Sequence, residues 1–262
     1  MFPFVDLGFV KIPTYGICMV IGLFLAAGLM LWRTRKTDVC CEDLIAIQAV
    51  CLASCLFGAK FLYIVVTYSP DEIMGYIMKG DFSFIGRSGL VFYGGLIFGI
   101  IGILLMAKAL KVDLLGIEKH IVPFIPLGHA IGRVGCFLAG CCYGMEYSGP
   151  LAVYYPKAPL KFMDFPEFGV GYFPVQLLES LLDLVIFGIL LVYTKKERQR
   201  GNVLFAYIMM YAIMRFCTEL FRGDVVRGIH FSVSTSQWIS IVLIVLFFAR
   251  LIYLNWKNKL KN

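Results

Sequence analysis

The chain is written in long apolar runs separated by short polar, glycine-rich or proline-rich stretches. Seven runs approach the roughly 20 residues that an α-helix needs to cross a hydrocarbon core about 30 Å thick. They cover approximately residues 13–32, 44–68, 90–110, 121–143, 174–193, 203–221 and 237–254. None alternates with the period of two that marks a membrane barrel, so each span is expected to be a helix that satisfies its own backbone hydrogen bonds. The expected fold class is therefore an all-α membrane protein of about seven transmembrane helices, with residues 1–262 as a single polytopic domain.

Loop charge gives an orientation. Fourteen cations fall in alternate loops and at the C-terminal end: Arg33, Arg35, Lys36, Lys108, Lys111, Lys119, Lys195, Lys196, Arg198, Arg200, Arg250, Lys257, Lys259 and Lys261. Seven fall on the other side: Lys11, Lys79, Arg87, Lys157, Lys161, Arg222 and Arg227. The positive-inside bias then places the N-terminus outside and the C-terminus in the cytoplasm. Two outer loops, 69–89 and 144–173, are long and rich in Gly, Pro and aromatics. The second, with Phe162, Phe165, Phe168, Tyr172 and Phe173, is expected to lie on the outer leaflet. The first apolar run has no basic segment before it and is long enough to span, so it is read as a retained helix rather than a cleaved signal.

Composition agrees with lipid rather than one oversized core: 60% of the residues are hydrophobic and only 16% charged. The net charge of +7 is read as loop bias, because no basic tract with interleaved aromatics points to nucleic acid.

Against this background, charge inside a span needs a reason. Lys60, Arg133 and Arg215 fall within apolar runs, where each costs about 2.5–3.5 kcal/mol on insertion scales. Arg215, Glu219 and Arg222 recur at i, i+4 and i+7 and form one polar stripe in RFCTELFRGD. Two guanidiniums flanking a carboxylate can grip a phosphate, or can form a self-contained charge ladder. Glu179 and Asp183, also i, i+4, are candidate counter-charges for Arg133 or Arg215. Gly94 and Gly95 open the third span in FYGGLIFG, and Gly132 and its neighbours thread GRVGCFLAGCCYG around Arg133. Such glycines either let helices pack closely or let a lipid headgroup approach the backbone.

Of nine cysteines, Cys136, Cys141 and Cys142 form the one cluster that calls for a separate reading. Cys136 and Cys141 are five apart and not stacked on a helix, which is not a usual zinc spacing, so no metal or cofactor is expected. Small residues lining a lipid pocket, or a disulfide near an oxidising face, are the two readings.

These motifs resemble the prolipoprotein diacylglyceryl transferase family. GRVGCFLAGCCYG is similar to the signature GRxGNFxNGExxG, FYGGLIFG to HGGLIG, FPVQLLE to HPxQLYE and RFCTELFRGD to RFxxEFFRxPD. The resemblance runs in order from Tyr15 to Gln237. It implies a multi-pass protein of the bacterial cytoplasmic membrane. Its members move diacylglyceryl from phosphatidylglycerol onto the lipobox cysteine thiol of a preprolipoprotein, with glycerol phosphate leaving. It implies that Arg133 holds the headgroup, with Tyr15, Gly94, Gly95, Gly132, Glu179 and Arg222 binding substrate. By the same resemblance Arg215, Glu219 and Tyr93 are the catalytic candidates. The chain departs from the family where Tyr93 replaces a histidine, Cys136 and Cys141 replace Asn and Glu, and Phe173 replaces a histidine. A paralogue using another thiol or lipid, a thiol oxidoreductase using the three cysteines, and a non-catalytic phospholipid-binding protein are the alternatives.

Overall fold

In a computed structural model, residues 2–259 are described, apart from 7, 9–10, 36, 38, 88, 157–165, 225–228 and 231–232. The protein is helical, and six of its helices are long and apolar enough to cross a membrane. It is an all-α, multi-pass membrane protein. The chain divides into two compact units, Met1–Arg33 with Glu118–Asn262, and Thr34–Ile117.

The larger unit begins with a ribbon, β1 (Phe4–Asp6) paired antiparallel with β2 (Lys11–Pro13), which leads into α1 (Thr14–Thr34). The smaller unit holds α2 (Cys41–Thr67), α3 (Pro70–Met78), α4 (Ser83–Arg87) and α5 (Phe92–Ala109). Its helices α2 and α5 meet through glycines. A Cβ at Gly94 would collide with the Gly58 carbonyl and come 2.7 Å from Leu62 Cβ, and one at Gly95 would lie 3.3 Å from the Cys55 carbonyl. Close packing thus accounts for both glycines of the FYGGLIFG motif. Tyr93, beside them, is exposed and rests edge-on against Phe92. The 69–89 segment, expected as a loop, is largely helical. Ser69 caps α3, reciprocated by the Glu72 carboxylate on the Ser69 amide, and Tyr68, Tyr76 and Phe84 cluster beneath it. Lys60 donates to the Ile85 carbonyl at 2.8 Å.

A short helix α6 (Leu114–Ile121) and a 3-10 turn at Val122–Phe124 lead into α7 (Ile125–Ala139) of the larger unit. Pro123 and Pro126 lack the amide protons that a continuous helix needs here. α7 stops at Ala139, short of residue 143, because Gly140 adopts φ +80°. The 144–173 segment contains β3 (Val153–Tyr154) paired with β4 (Gly171–Tyr172). Tyr143, Tyr155 and Tyr172 pack beneath that ribbon, and Phe162 and Phe165 lie outside the described residues.

α8 (Val175–Tyr193) and α9 (Asn202–Glu219) follow, then β5 (Ile229–His230) pairs with β6 (Val233–Ser234) before α10 (Thr235–Lys259). Val122, Ile186, Leu190, Val203, Tyr207 and Met214 form the apolar core between α8 and α9. Glu118 caps α9, accepting from the amides of Val203 (3.3 Å) and Leu204 (3.0 Å), where a carboxylate suits the positive end of the helix.

The burial pattern is inverted relative to a water-soluble bundle. α8 buries Gln176, Glu179, Ser180 and Asp183 while exposing Leu181, Leu184, Val185, Ile189 and Val192. Such a surface is stable against lipid, which leaves buried polar groups to find partners inside.

Candidate functional site

The polar interior of the larger unit is a ladder of paired charges. Glu179, 1% exposed, sits at its hub. Its Oε2 meets Arg133 Nε from α7 at 2.9 Å. Its Oε1 accepts from Arg215 Nη1 of α9 and from Thr218 Oγ1 at 3.0 Å. Arg215 continues through Nη2 to Glu219 Oε2 (2.6 Å) and Ser236 Oγ (3.3 Å). Glu219 Oε2 lies 3.9 Å from Arg222, and Arg222 forks onto Asp224 through Nε (2.8 Å) and Nη2 (2.5 Å). Burial alone would lower the Arg222 guanidinium; the bond to Asp224 and the surrounding negative groups outweigh it and hold it above its ordinary value.

Three arginines thus face three carboxylates. The helical stripe Arg215, Glu219, Arg222 is itself part of that ladder. The sequence left open which cation Glu179 would serve; it serves two. Asp183, one turn further along α8, is as deeply buried, yet neither of its oxygens has a hydrogen-bond partner among the described residues. Thr218, Ser236 and Asp224 were not singled out by sequence reasoning. Asp224 was legible as the last letter of RFCTELFRGD, two residues from the arginine it clamps.

The arginines differ in what they leave available. Both terminal nitrogens of Arg215 are spent inside the protein. Arg222 is locked by its fork. Arg133 is bound only through Nε, and its terminal nitrogens have no acceptor among the described residues. It is therefore the cation presented to a ligand, held at Nε by its ion pair with Glu179.

The cysteine turn lies beside it. Gly140 closes α7 in a left-handed conformation, its amide bonding to the Phe137 carbonyl (3.3 Å) while the Cys141 amide reaches back to the Cys136 carbonyl (3.2 Å). This paired closure reverses the chain over the last helical turn. Cys142 also takes a positive φ, 56°, a conformation that costs about 1–2 kcal/mol in a residue with a side chain. As a result the Sγ atoms of Cys136, Cys141 and Cys142 all lie within 4.8 Å of one another. The turn is pinned by Gln176 of α8, which donates to the Cys141 carbonyl at 2.9 Å and to Tyr155 Oη at 3.1 Å. Just beyond it, Gly144 has no room for a side chain, since a Cβ would meet the carbonyls of Phe173 and Phe221. The Met145 amide bonds to the Phe221 carbonyl (2.8 Å) and the Gly223 amide to Tyr143 (3.1 Å), tying the turn to the Arg222 segment.

Tyr15 of α1 interacts electrostatically with all three thiols and with Arg133. Gly132 and Gly135 face α1: a Cβ at Gly132 would lie 3.2 Å from Met19 Sδ, and one at Gly135 would lie 2.8 Å from Cys18 Cβ. Arg133, Glu179, Arg215, Glu219 and Arg222 are therefore one assembly, with Tyr15 and Gly132 flanking it. Tyr93, Gly94 and Gly95 belong to the smaller unit.

Comparison with known proteins bears on this assembly. The family model described as prolipoprotein diacylglyceryl transferase matches residues 3–253. A Clostridium perfringens protein named phosphatidylglycerol--prolipoprotein diacylglyceryl transferase 2 is 32% identical, covering 90% of this chain and 88% of its own. A Clostridium tetani transferase is 31% identical, covering 90% of each chain. One from Dehalococcoides mccartyi is 28% identical, covering 97% of this chain and 94% of its own. With a buried arginine–carboxylate ladder in a lipid-embedded fold and a match along nearly its whole length, the chain belongs to the prolipoprotein diacylglyceryl transferase family.

Proposed function

We propose that this protein moves the diacylglyceryl group of phosphatidylglycerol onto the lipobox cysteine thiol of a preprolipoprotein, releasing glycerol phosphate. The observation that carries the reading is Arg133: a guanidinium aimed by a buried carboxylate, with its terminal nitrogens open to a ligand, inside a fold solvated by lipid. A phosphodiester oxygen pair fits that open edge bidentately. As the bond to phosphate breaks, charge grows on the leaving oxygen, and a fixed donor stabilises it without reorganising.

The other residues hold that donor in place. Glu179 holds the Arg133 guanidinium by an ion pair at Nε. Arg215 and Thr218 set Glu179, and Glu219 and Ser236 set Arg215. Arg215 acts on the substrate through Glu179, as a positioning residue, and the same logic extends to Glu219. Tyr15, beside Arg133 and the thiols, is placed to hydrogen-bond the headgroup. In this reading the N-terminus is outside, the C-terminus is in the cytoplasm and the site faces the outer leaflet of a bacterial cytoplasmic membrane, which the Lys and Arg bias between alternate loops supports.

The test is direct. Purified protein, phosphatidylglycerol and a peptide carrying a lipobox cysteine should give peptide heavier by one diacylglyceryl group, linked as a thioether, with stoichiometric glycerol phosphate. Absence of that product with several lipobox peptides refutes the reading. Retained lipid binding without turnover would mark a phospholipid-binding protein instead.

A further inference from the structure

The acceptor thiol must become a thiolate, and an ordinary cysteine, with a pKa near 8.5, is mostly protonated at neutral pH. Nothing in the arginine ladder removes that proton: its carboxylates are committed to guanidiniums. The histidine of the family motif is Tyr93 here. What the larger unit does hold beside Arg133 is a triangle of sulfur atoms.

We propose that Cys136, Cys141 and Cys142 form a three-thiolate site for a zinc ion whose fourth, open position receives the acceptor cysteine as its thiolate. The inference deepens the transfer reading and rests on it. Three arguments carry it. The first is geometric. Tetrahedral zinc with Zn–S bonds of about 2.3 Å needs sulfurs about 3.8 Å apart. The three Sγ atoms already lie within 4.8 Å of one another, so rotation about the side-chain bonds closes the difference. The second is structural. The backbone conformations that bring the sulfurs together, at Gly140 and Cys142, are both left-handed, and the second is costly. Gln176, completely buried, holds the turn in that shape through the Cys141 carbonyl. Cys136 is buried while Cys141 and Cys142 are half-buried, so the cluster has a closed side and an open one. The third is electrostatic. Zinc with three thiolates carries a net charge of −1, and Cys142 lies in the positive field of Arg222 and Arg133.

The spacing of Cys136 and Cys141 concealed this, because five residues along a helix do not share a face. The reversal at Gly140 takes Cys141 and Cys142 off the helix and folds them back over Cys136.

Three protein ligands with one open position is the arrangement of a catalytic rather than a structural zinc site. A thiol entering that position loses its proton to water on coordination. Its sulfur then attacks the glycerol carbon that bears the phosphate. The C–S bond forms, the C–O bond to phosphate breaks, and the electron pair leaves with glycerol phosphate. The zinc undergoes no redox change, and one negative charge from the thiolate plus one from the phosphodiester become the dianionic leaving group.

Cobalt(II) is the probe, because it reports sulfur ligation by absorption without any turnover. Cobalt added to the reduced, metal-stripped full-length protein should give the intense visible bands of tetrahedral coordination and a sulfur-to-metal charge-transfer band, saturating at one equivalent and erased by zinc. Cys136→Ser, Cys141→Ser and Cys142→Ser should each weaken binding by at least about 100-fold. Cys217→Ser, at an exposed position on α9, should not change it. A lipobox peptide should shift the visible bands, and its Cys→Ser analogue should not. Absence of a sulfur–cobalt spectrum in the wild-type protein, or a disulfide within the cluster in protein purified from cells, overturns the proposal, whether or not the serine variants fold. Cobalt bands that the peptide leaves unmoved overturn the role assigned to the fourth position. A normal cobalt response with no lipidated peptide under any metal would sink the transfer reading and leave the metal site standing.

Discussion

Replacing Glu179 tests the ladder at its hub. One carboxylate meets a guanidinium on each oxygen and accepts a further bond from Thr218. Glu179→Ala leaves Arg133 and Arg215 without their shared counter-charge, where they are shielded from water and faced by lipid-exposed helices. Removing one partner of a buried pair typically costs about 3–5 kcal/mol, because the other charge stays behind. Glu179→Gln keeps an acceptor for Thr218 and removes the charge, so about half that loss is expected. A double-mutant cycle of Glu179→Gln with Arg133→Gln, read by unfolding in mixed micelles, isolates the pair. Interhelical hydrogen bonds in membranes average about 0.6 kcal/mol in such cycles. The Arg133–Glu179 coupling should exceed this severalfold, at about 2 kcal/mol or more. In the transfer assay Glu179→Gln should raise KM for phosphatidylglycerol, since Arg133 loses its aim. A coupling at or below about 0.6 kcal/mol, with an unchanged KM, would refute the claim that Glu179 orients Arg133.

Other perturbations separate roles that sit close together. Arg133→Lys keeps the charge but loses the forked donor, worth about 1.5–3 kcal/mol for a charge-assisted bond, so KM for phosphatidylglycerol should rise about 10- to 150-fold with little change in unfolding midpoint. Asp183→Asn should leave transfer within about twofold of wild type and stability equal or higher, because neither carboxylate oxygen is hydrogen-bonded; a loss matching that of Glu179→Gln would show Asp183 to be a working member of the site. Gly140→Ala should cost about 1–2 kcal/mol through its left-handed backbone, read from the unfolding midpoint, and should weaken cobalt binding; an unchanged midpoint would mean that the turn relaxes. Gly94→Ala should destabilise the protein by about 1–3 kcal/mol, because the added methyl meets the Gly58 carbonyl of α2; a normal midpoint with lost transfer would instead assign Gly94 to substrate.

The spans and the ladder were legible for the same reason. A lipid solvent makes helices declare themselves as apolar runs, and makes Arg133, Arg215 and Glu219 conspicuous within them. Helical spacing then placed Arg215, Glu219 and Arg222 on one face. What no single helix carries was harder to read. Glu179 has two partners on two other helices, and only the packing of α7, α8 and α9 shows that it takes both. The cysteine cluster depends on a chain reversal, and a spacing of five says nothing about a reversal. The Ser69 to Glu72 capping box was present in the letters, yet the glycine and aromatic content around it favoured a loop. Gly94 and Gly95 resembled a lipid-contact motif, while their packing partner, Gly58, lies on another helix.

The charges of α9 bear on how the chain enters the membrane. α9 is 18 residues long, as α5 is, yet it is not among the six helices apolar enough to cross on composition alone. Arg215 and Glu219 near its end would each carry an insertion penalty of a few kcal/mol if the helix partitioned unaccompanied. The groups that offset this arrive earlier: Glu179 lies on α8 and Arg133 on α7, both synthesised before α9. α9 is thus expected to enter as a dependent helix, by docking onto that pair rather than by partitioning alone. The same carboxylate that aims Arg133 acts as the receptor for the late helix, so a substitution at Glu179 should reduce the yield of inserted protein as well as its activity.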